Sequence, residues 1–207
     1  MAPLIQPSEC SVLFIDPRKQ HLANLSETTQ HGIVQRLALV AHAACAGAVP
    51  AHLAFVGPIP EAEQWLAASR QLASPQIHRL GNAGSSWSTS GLGSALAAQG
   101  RSSLVLCGFW FETTVTFIAL PALASGFQVF IVLDTTLARS EDARSPAMDR
   151  LLHAGAVPTT AAQLVFEWIE ASADPHQRSS LSLLVPPIED DEARHTNVRP
   201  RFASTTE

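Results

Sequence analysis

Short, unbroken apolar runs alternate along this chain with longer segments of helical spacing. Residues 11–16 read Ser-Val-Leu-Phe-Ile-Asp, and comparable runs cover 49–56, 104–107 and 127–133. Such runs lack the in-out alternation of a half-exposed strand. They predict strands buried on both faces, as in a parallel sheet covered by helices. Residues 76–80 and 156–158 are shorter candidates, and Gly57-Pro58 breaks the run before it. Between them, 31–46 places Ile33, Leu37, Val40, Ala41 and Ala44 on one helical face, with Gly47 as its stop. Helices are also predicted over 60–72, with Pro60 near the first turn, and over 88–98. Two more follow at 142–154, with Met148, Leu151 and Leu152 inward, and at 161–171, capped by Thr160.

Strands alternating with helices predict an α/β, doubly wound fold. The expected form is a Rossmann-like three-layer α/β/α sandwich around a mainly parallel sheet. With the 11–16 strand at the centre, the strand order is 3-2-1-4-5-6. The stretch 104–136 is a strand, a crossover helix closed by Gly126, and a second strand. Its turn, Gly108-Phe109-Trp110-Phe111-Glu112, falls at a strand's carboxyl end and a helix's start. Open α/β sheets bind ligands at that edge, and helix starts offer free amides. Residues 1–173 read as one domain and 174–207 as a C-terminal tail. The tail has two readings: a disordered end, or an arm laying Leu183 to Ile188 on a neighbouring subunit.

Composition narrows this further. Apolar residues make up 46% of the 207 and charged residues 15%, enough for a sizeable core. The net charge is −5 with the signs interspersed, which excludes a basic nucleic-acid footprint. Cys10, Cys45 and Cys107 show no paired spacing, so a reduced, cytoplasmic protein is expected. No leader pattern and no run of membrane-spanning length is present. Low charge, abundant alanine and the apolar tail point to a homo-oligomer.

The residues of the 104–136 stretch resemble the isochorismatase-like hydrolase superfamily. Its members carry a strand, then Gly-hydrophobic-x-Thr-Asp/Glu-x-Cys-Val, a helix, and a strand ending in Asp. One bacterial branch, with Gly-Leu-Trp-Thr-Glu-Val-Cys-Val-Thr-Phe-x-Ala-Leu, is similar at Gly108, Trp110, Glu112, Val115, Thr116, Phe117, Ala119 and Leu120. The family's nucleophilic cysteine falls on Thr114. The run Phe14-Ile15-Asp16 with Gln20 is similar to the family's Val-Ile-Asp-x-Gln region. The resemblance makes Asp16 the general base. It also implies a non-proline cis peptide at Phe109–Trp110.

The family's lysine after the third strand has no counterpart, but Arg79, Gly81, Asn82 and Trp87 match the branch's Arg-x-Gly-Asn…Trp. Arg79 is either a positive charge beside Asp16 or a surface arginine at a strand end; it cannot shuttle a proton as lysine can. Asn82, Trp87, Phe109, Trp110 and Glu112 are the expected substrate-binding residues. The aromatics are either pocket walls or core packing. Cys107, inside a strand, reads as core. No cofactor is expected. Metal-dependent relatives carry Asp-x-His after the second strand, where this chain has Phe55 to Pro60 without a ligand side chain. His21 and His52 lack metal-site spacing, and His42, His78, His153, His176 and His195 read as solvent-facing.

Threonine in place of cysteine bears on mechanism. A hydroxyl needs a dedicated base to become a nucleophile. The isochorismatases proper cleave a vinyl ether with an Asp and no covalent intermediate, so the resemblance also accommodates a non-covalent route. The expected function is hydrolysis of a small organic substrate by Asp16-dependent acid–base catalysis. The alternative is a catalytically inactive member that binds a ligand or serves as a scaffold.

Overall fold

The computed structural model describes residues 4–81 and 86–185. The elements run β1 (Cys10–Ile15), α1 (Glu27–Ala46), β2 (Ala51–Val56), α2 (Ala67–Arg70), β3 (Gln76–Leu80), α3 (Ser86–Thr89), α4 (Leu92–Ala98), β4 (Ser103–Phe109), α5 (Thr116–Ala124), β5 (Gln128–Leu137), α6 (Glu141–His153), β6 (Val157–Thr159), α7 (Ala161–Ala171) and α8 (Pro175–Ser182). The six strands form one parallel sheet in the order β3-β2-β1-β4-β5-β6, as the pattern predicts.

Successive side chains of a strand point to opposite faces, and the central strands supply a core to each. Val12, Phe14, Leu53, Phe55, Val105 and Cys107 face α1 and α7, where Leu37, Val40, Leu164 and Trp168 meet them. Leu13, Ile15, Ala54, Leu104 and Leu106 face α4 and α5, against Leu92, Leu96, Ile118 and Ala122. Every residue of β1 and β4 is buried, which is why both read as unbroken apolar runs. Several helices, α1, α6 and α7 among them, start where a side chain takes a free amide. Ser26, Ser140 and Thr160 accept from the amides of Thr29, Ala143 and Gln163.

Three expectations are corrected. The 60–72 segment is not one helix. It holds a 3-10 turn at Ala62–Gln64 and the single turn α2. Its backbone is engaged elsewhere: the Leu66 amide donates to the Pro17 carbonyl at 2.8 Å, Arg18 and Trp65 form an isolated bridge, and the Trp65 indole donates to the Pro60 carbonyl. Leu152, expected inward on α6, is instead 43% exposed; separately, beyond 173, Asp174 caps α8, which lies on α7 and α1 with Leu181 fully buried. Lastly, His78 is half-buried and meets the fully buried His52 at 3.0 Å. Burial pushes His52 down to about 4 and His78 below its ordinary value, so the pair is neutral at pH 7.

One close approach fixes how β4 leaves the sheet. Gly108 has φ +117, and a Cβ there would lie 2.1 Å from the Ile15 carbonyl oxygen of β1. Only glycine tolerates both that conformation and that contact. Gly108→Ala is therefore expected to cost about 3 kcal/mol or more, combining overpacking with backbone strain. Urea denaturation checks this; a midpoint within error of the parent protein contradicts it.

Candidate active site

β1 ends at Ile15, and Asp16, the next residue, leaves the strand with φ +47, a conformation that Asp adopts more readily than most residues. Its amide still donates to the Ala54 carbonyl, so the β1–β2 ladder continues to the last residue before the turn. Pro17 follows. The Arg18 amide then donates to the Asp16 carbonyl at 2.7 Å, closing a three-residue turn about a proline whose φ is already set. The chain folds back over the strand end, and the short 3-10 turn Lys19–Leu22 is anchored by buried Leu22.

This fold-back surrounds the Asp16 carboxylate, which is 8% exposed. Arg18 Nε donates to Oδ1 at 2.7 Å, and the Val56 amide donates to the same oxygen at 3.2 Å. His21 Nε2 lies 2.6 Å from Oδ2. Arg18 also donates through Nη2 to the carbonyls of Val56 and Pro58, at 2.7 and 2.8 Å, and its guanidinium lies over the Phe55 ring. One arginine thus ties the ends of β1 and β2 together. The His21 ring sits 5.3 Å from the Phe109 ring and 5.1 Å from that of Trp110. A cleft of about 270 Å³ beside Arg18 is lined by Lys19, Gln20, Glu63 and Gln64 as well.

The neighbouring strand end supplies the turn expected to carry chemistry. Ile15 pairs with Gly108, and the next peptide but one, Phe109–Trp110, is cis, where the resemblance places it. Residues Phe111–Val115 form a π-helical turn leading into α5. The amides of Thr113 and Val115 close on the Trp110 carbonyl at 3.2 and 3.0 Å, and Thr116 Oγ1 donates to the Phe111 carbonyl. Glu112 pairs with Arg139 at 2.6 Å, and that guanidinium lies 4.9 Å from the centre of the Trp110 ring. Thr114 is 3% exposed, and among the described residues its hydroxyl has no hydrogen-bond partner.

The fold therefore brings Asp16, Phe109, Trp110, Glu112 and Thr114 to adjacent strand ends. Two other expected site residues lie elsewhere, and a third is not described. Arg79 is exposed on the edge strand β3, opposite Phe55. The positive charge beside Asp16 belongs to Arg18, which the tight turn brings back from two residues away. Trp87 packs edge-on against Phe127, just before β5 begins, and over Gly93, where a Cβ would lie 2.8 Å from the indole. The bare backbone of α4 draws that ring into the second core rather than toward Asp16. Asn82 lies outside the described residues. Nothing in the sequence alone marks Arg18 or His21 for catalysis. Their one signal there is proximity to a strand-terminal Asp-Pro.

The thiols are remote in a chemical sense. Cys107 is fully buried within β4, and burial pushes it up to about 12; Cys10 shifts to about 12 for the same reason. Both are protonated at neutral pH, and a thiol is a poor nucleophile in that form. Cys45 is exposed at the end of α1. Among the described residues no three His, Cys, Asp or Glu side chains cluster to hold a metal ion, and no helix is long and apolar enough to cross a membrane.

With the site described, three comparisons bear on it. A family model described as an isochorismatase domain matches residues 11–163. The probable hydrolase YcaC of Escherichia coli strain K12 is 39% identical over 82 residues, which is 40% of this chain and 39% of that protein. The match thus spans about two-fifths of that curated relative. Among solved structures, E. coli YcaC, described as an octameric hydrolase of unknown specificity, superposes with a TM-score of 0.70 at 23% identity, over 89% of this chain and 92% of that one. MAR1 ribonuclease from Caenorhabditis elegans gives 0.76 at 18% identity, over 98% and 100%. At these identities the structural matches speak to the fold.

Proposed function

The chain belongs to the isochorismatase family, and on that premise we propose that it hydrolyses a small organic substrate by acid–base chemistry centred on Asp16, without a covalent intermediate. The observation that carries this reading is the Asp16 carboxylate. It is nearly buried, oriented from both sides, and placed at the end of the central strand beside the 109–114 turn. The thiols support the same reading. Neither buried cysteine is ionised at neutral pH, and Thr114, at the position where the family has its nucleophile, has no base bonded to its hydroxyl among the described residues. Glu112, Phe109 and Trp110 line the same edge and are the proposed substrate contacts. Asn82, Arg79 and Trp87 have weaker support, the last two because of where they pack.

A second reading, a ligand-binding or scaffold protein without turnover, draws on one specific observation. Both Asp16 carboxylate oxygens already have partners, and Phe109 and Phe111 are fully buried. Screening the purified protein against amides, esters and vinyl ethers separates the two. On any substrate turned over, Asp16→Asn is expected to lose at least about 100-fold in rate, the lower end of what one general acid–base group contributes. Thr114→Ala and alkylation of Cys45 are expected to change the rate only a few-fold. The non-covalent reading is wrong if Thr114→Ala abolishes turnover while binding persists, or if Asp16→Asn has no effect.

We also infer that the chain assembles into a homo-oligomer. Phe117 on α5 and Leu152 on α6 are large apolar side chains left exposed, and the YcaC structure with a similar fold is octameric. Light scattering should give a multiple of 22.1 kDa. A single species of that mass refutes assembly.

A further inference from the structure

We propose that His21 is the group that takes and returns the proton in this site, with Asp16 as the residue that holds and orients it. The inference rests on the Asp16-centred reading and deepens it.

The warrant is how the carboxylate is occupied. Oδ1 accepts from Arg18 Nε and the Val56 amide, and Oδ2 is met by His21 Nε2 at 2.6 Å. An ionised carboxylate only accepts hydrogen bonds, so Nε2 must carry a proton and donate it. In the neutral ring that leaves Nδ1 as a bare lone pair. Among the described residues no group bonds Nδ1. Water or substrate reaching for a base at Asp16 meets a carboxylate whose oxygens are already taken. The imidazole beside it, in its neutral form, presents a free nitrogen. The ring is held on the other side by Phe109 and Trp110, the two residues joined by the cis peptide, so it lies between the carboxylate and the 109–114 turn. Its side chain is 11% exposed, so the rotamer is confined by packing and one short hydrogen bond.

The chemistry balances with water as the only co-reactant. Nδ1 accepts a proton from water as the water oxygen bonds to the electrophilic carbon. The imidazolium that forms is stabilised by the Asp16 carboxylate on Nε2. Its Nδ1 proton then passes to the leaving oxygen or nitrogen as that bond to carbon breaks, restoring neutral imidazole. A carboxylate that orients a histidine and stabilises its protonated form is a known division of labour in hydrolases. The carboxylate need not leave its own partners.

Two readouts test this on the full chain. Long-range ¹H–¹⁵N NMR needs no substrate, and His21→Gln identifies the resonance by its loss. The ring is expected as the Nε2–H tautomer with Nδ1 bare. An Nδ1–H tautomer, or a ring doubly protonated throughout the pH range studied, overturns the proposal. On whichever ester or amide the protein hydrolyses, His21→Ala is expected to lower kcat at least about 100-fold, with KM within a few-fold. Added free imidazole should restore part of the lost rate, which a purely structural role would not produce. Absence of rescue, or His21→Ala with the parent kcat, overturns it. Asp16→Asn separates the two levels. If that variant is inactive and His21→Ala is not, the His21 role falls and the Asp16 reading stands. If both keep the parent rate, both fall.

Discussion

The contact on which the site depends is the one between two backbones, Gly108 of β4 and Ile15 of β1. At that point β4 approaches so closely that a single added carbon would lie 2.1 Å from a carbonyl oxygen. The approach brings the last residue before Asp16 into register with the last glycine before the Phe109–Trp110 turn. A carboxylate and a helix-starting turn, 92 residues apart at Asp16 and Gly108 in sequence, become neighbours because one position has no side chain. The proposed chemistry requires that juxtaposition.

Around it, polar groups are arranged in a nearly closed set. Arg18 bonds one carboxylate oxygen and the carbonyls of Val56, the last residue of β2, and Pro58 just beyond it, and Val56 adds an amide. Burying a carboxylate is costly unless it is paired and hydrogen-bonded, and these partners meet that requirement locally. Arg139 performs a similar task across the turn, pairing Glu112 while stacking on Trp110. The two arginines hold opposite sides of the same edge, each combining an ion pair with an aromatic face.

Much of the fold was legible because burial on both faces leaves an unmistakable run of apolar residues. β1 and β4 read that way, and the strand order follows from the alternation once the 11–16 strand is placed at the centre. Asp16 and the cis peptide were legible through a motif. What stayed hidden depends on turns. Nothing periodic announces that Pro17 will close a turn about itself and return Arg18 to its own neighbour, so the sequence points for the cation to Arg79, two strands away. In the sequence His21 reads only as a candidate metal ligand, because a histidine in a loop acquires meaning from what folds over it. The packing of Trp87 is hidden for a subtler reason: the space that draws it inward is the missing side chain of Gly93, a pairing that sequence spacing does not express. The 60–72 segment likewise has helical spacing, but its backbone bonds to the loop after β1 instead.

The central claim is that water, not a side chain of this protein, attacks the substrate. The most direct measurement follows the first turnover of a hydrolysed ester or amide by rapid quench, with intact mass determined on the quenched protein. The account predicts product rising from zero without a burst, and a protein mass unchanged at every time point. A burst of one leaving group per chain, accompanied by an acyl mass mapped to Thr114 or to any cysteine, would contradict it.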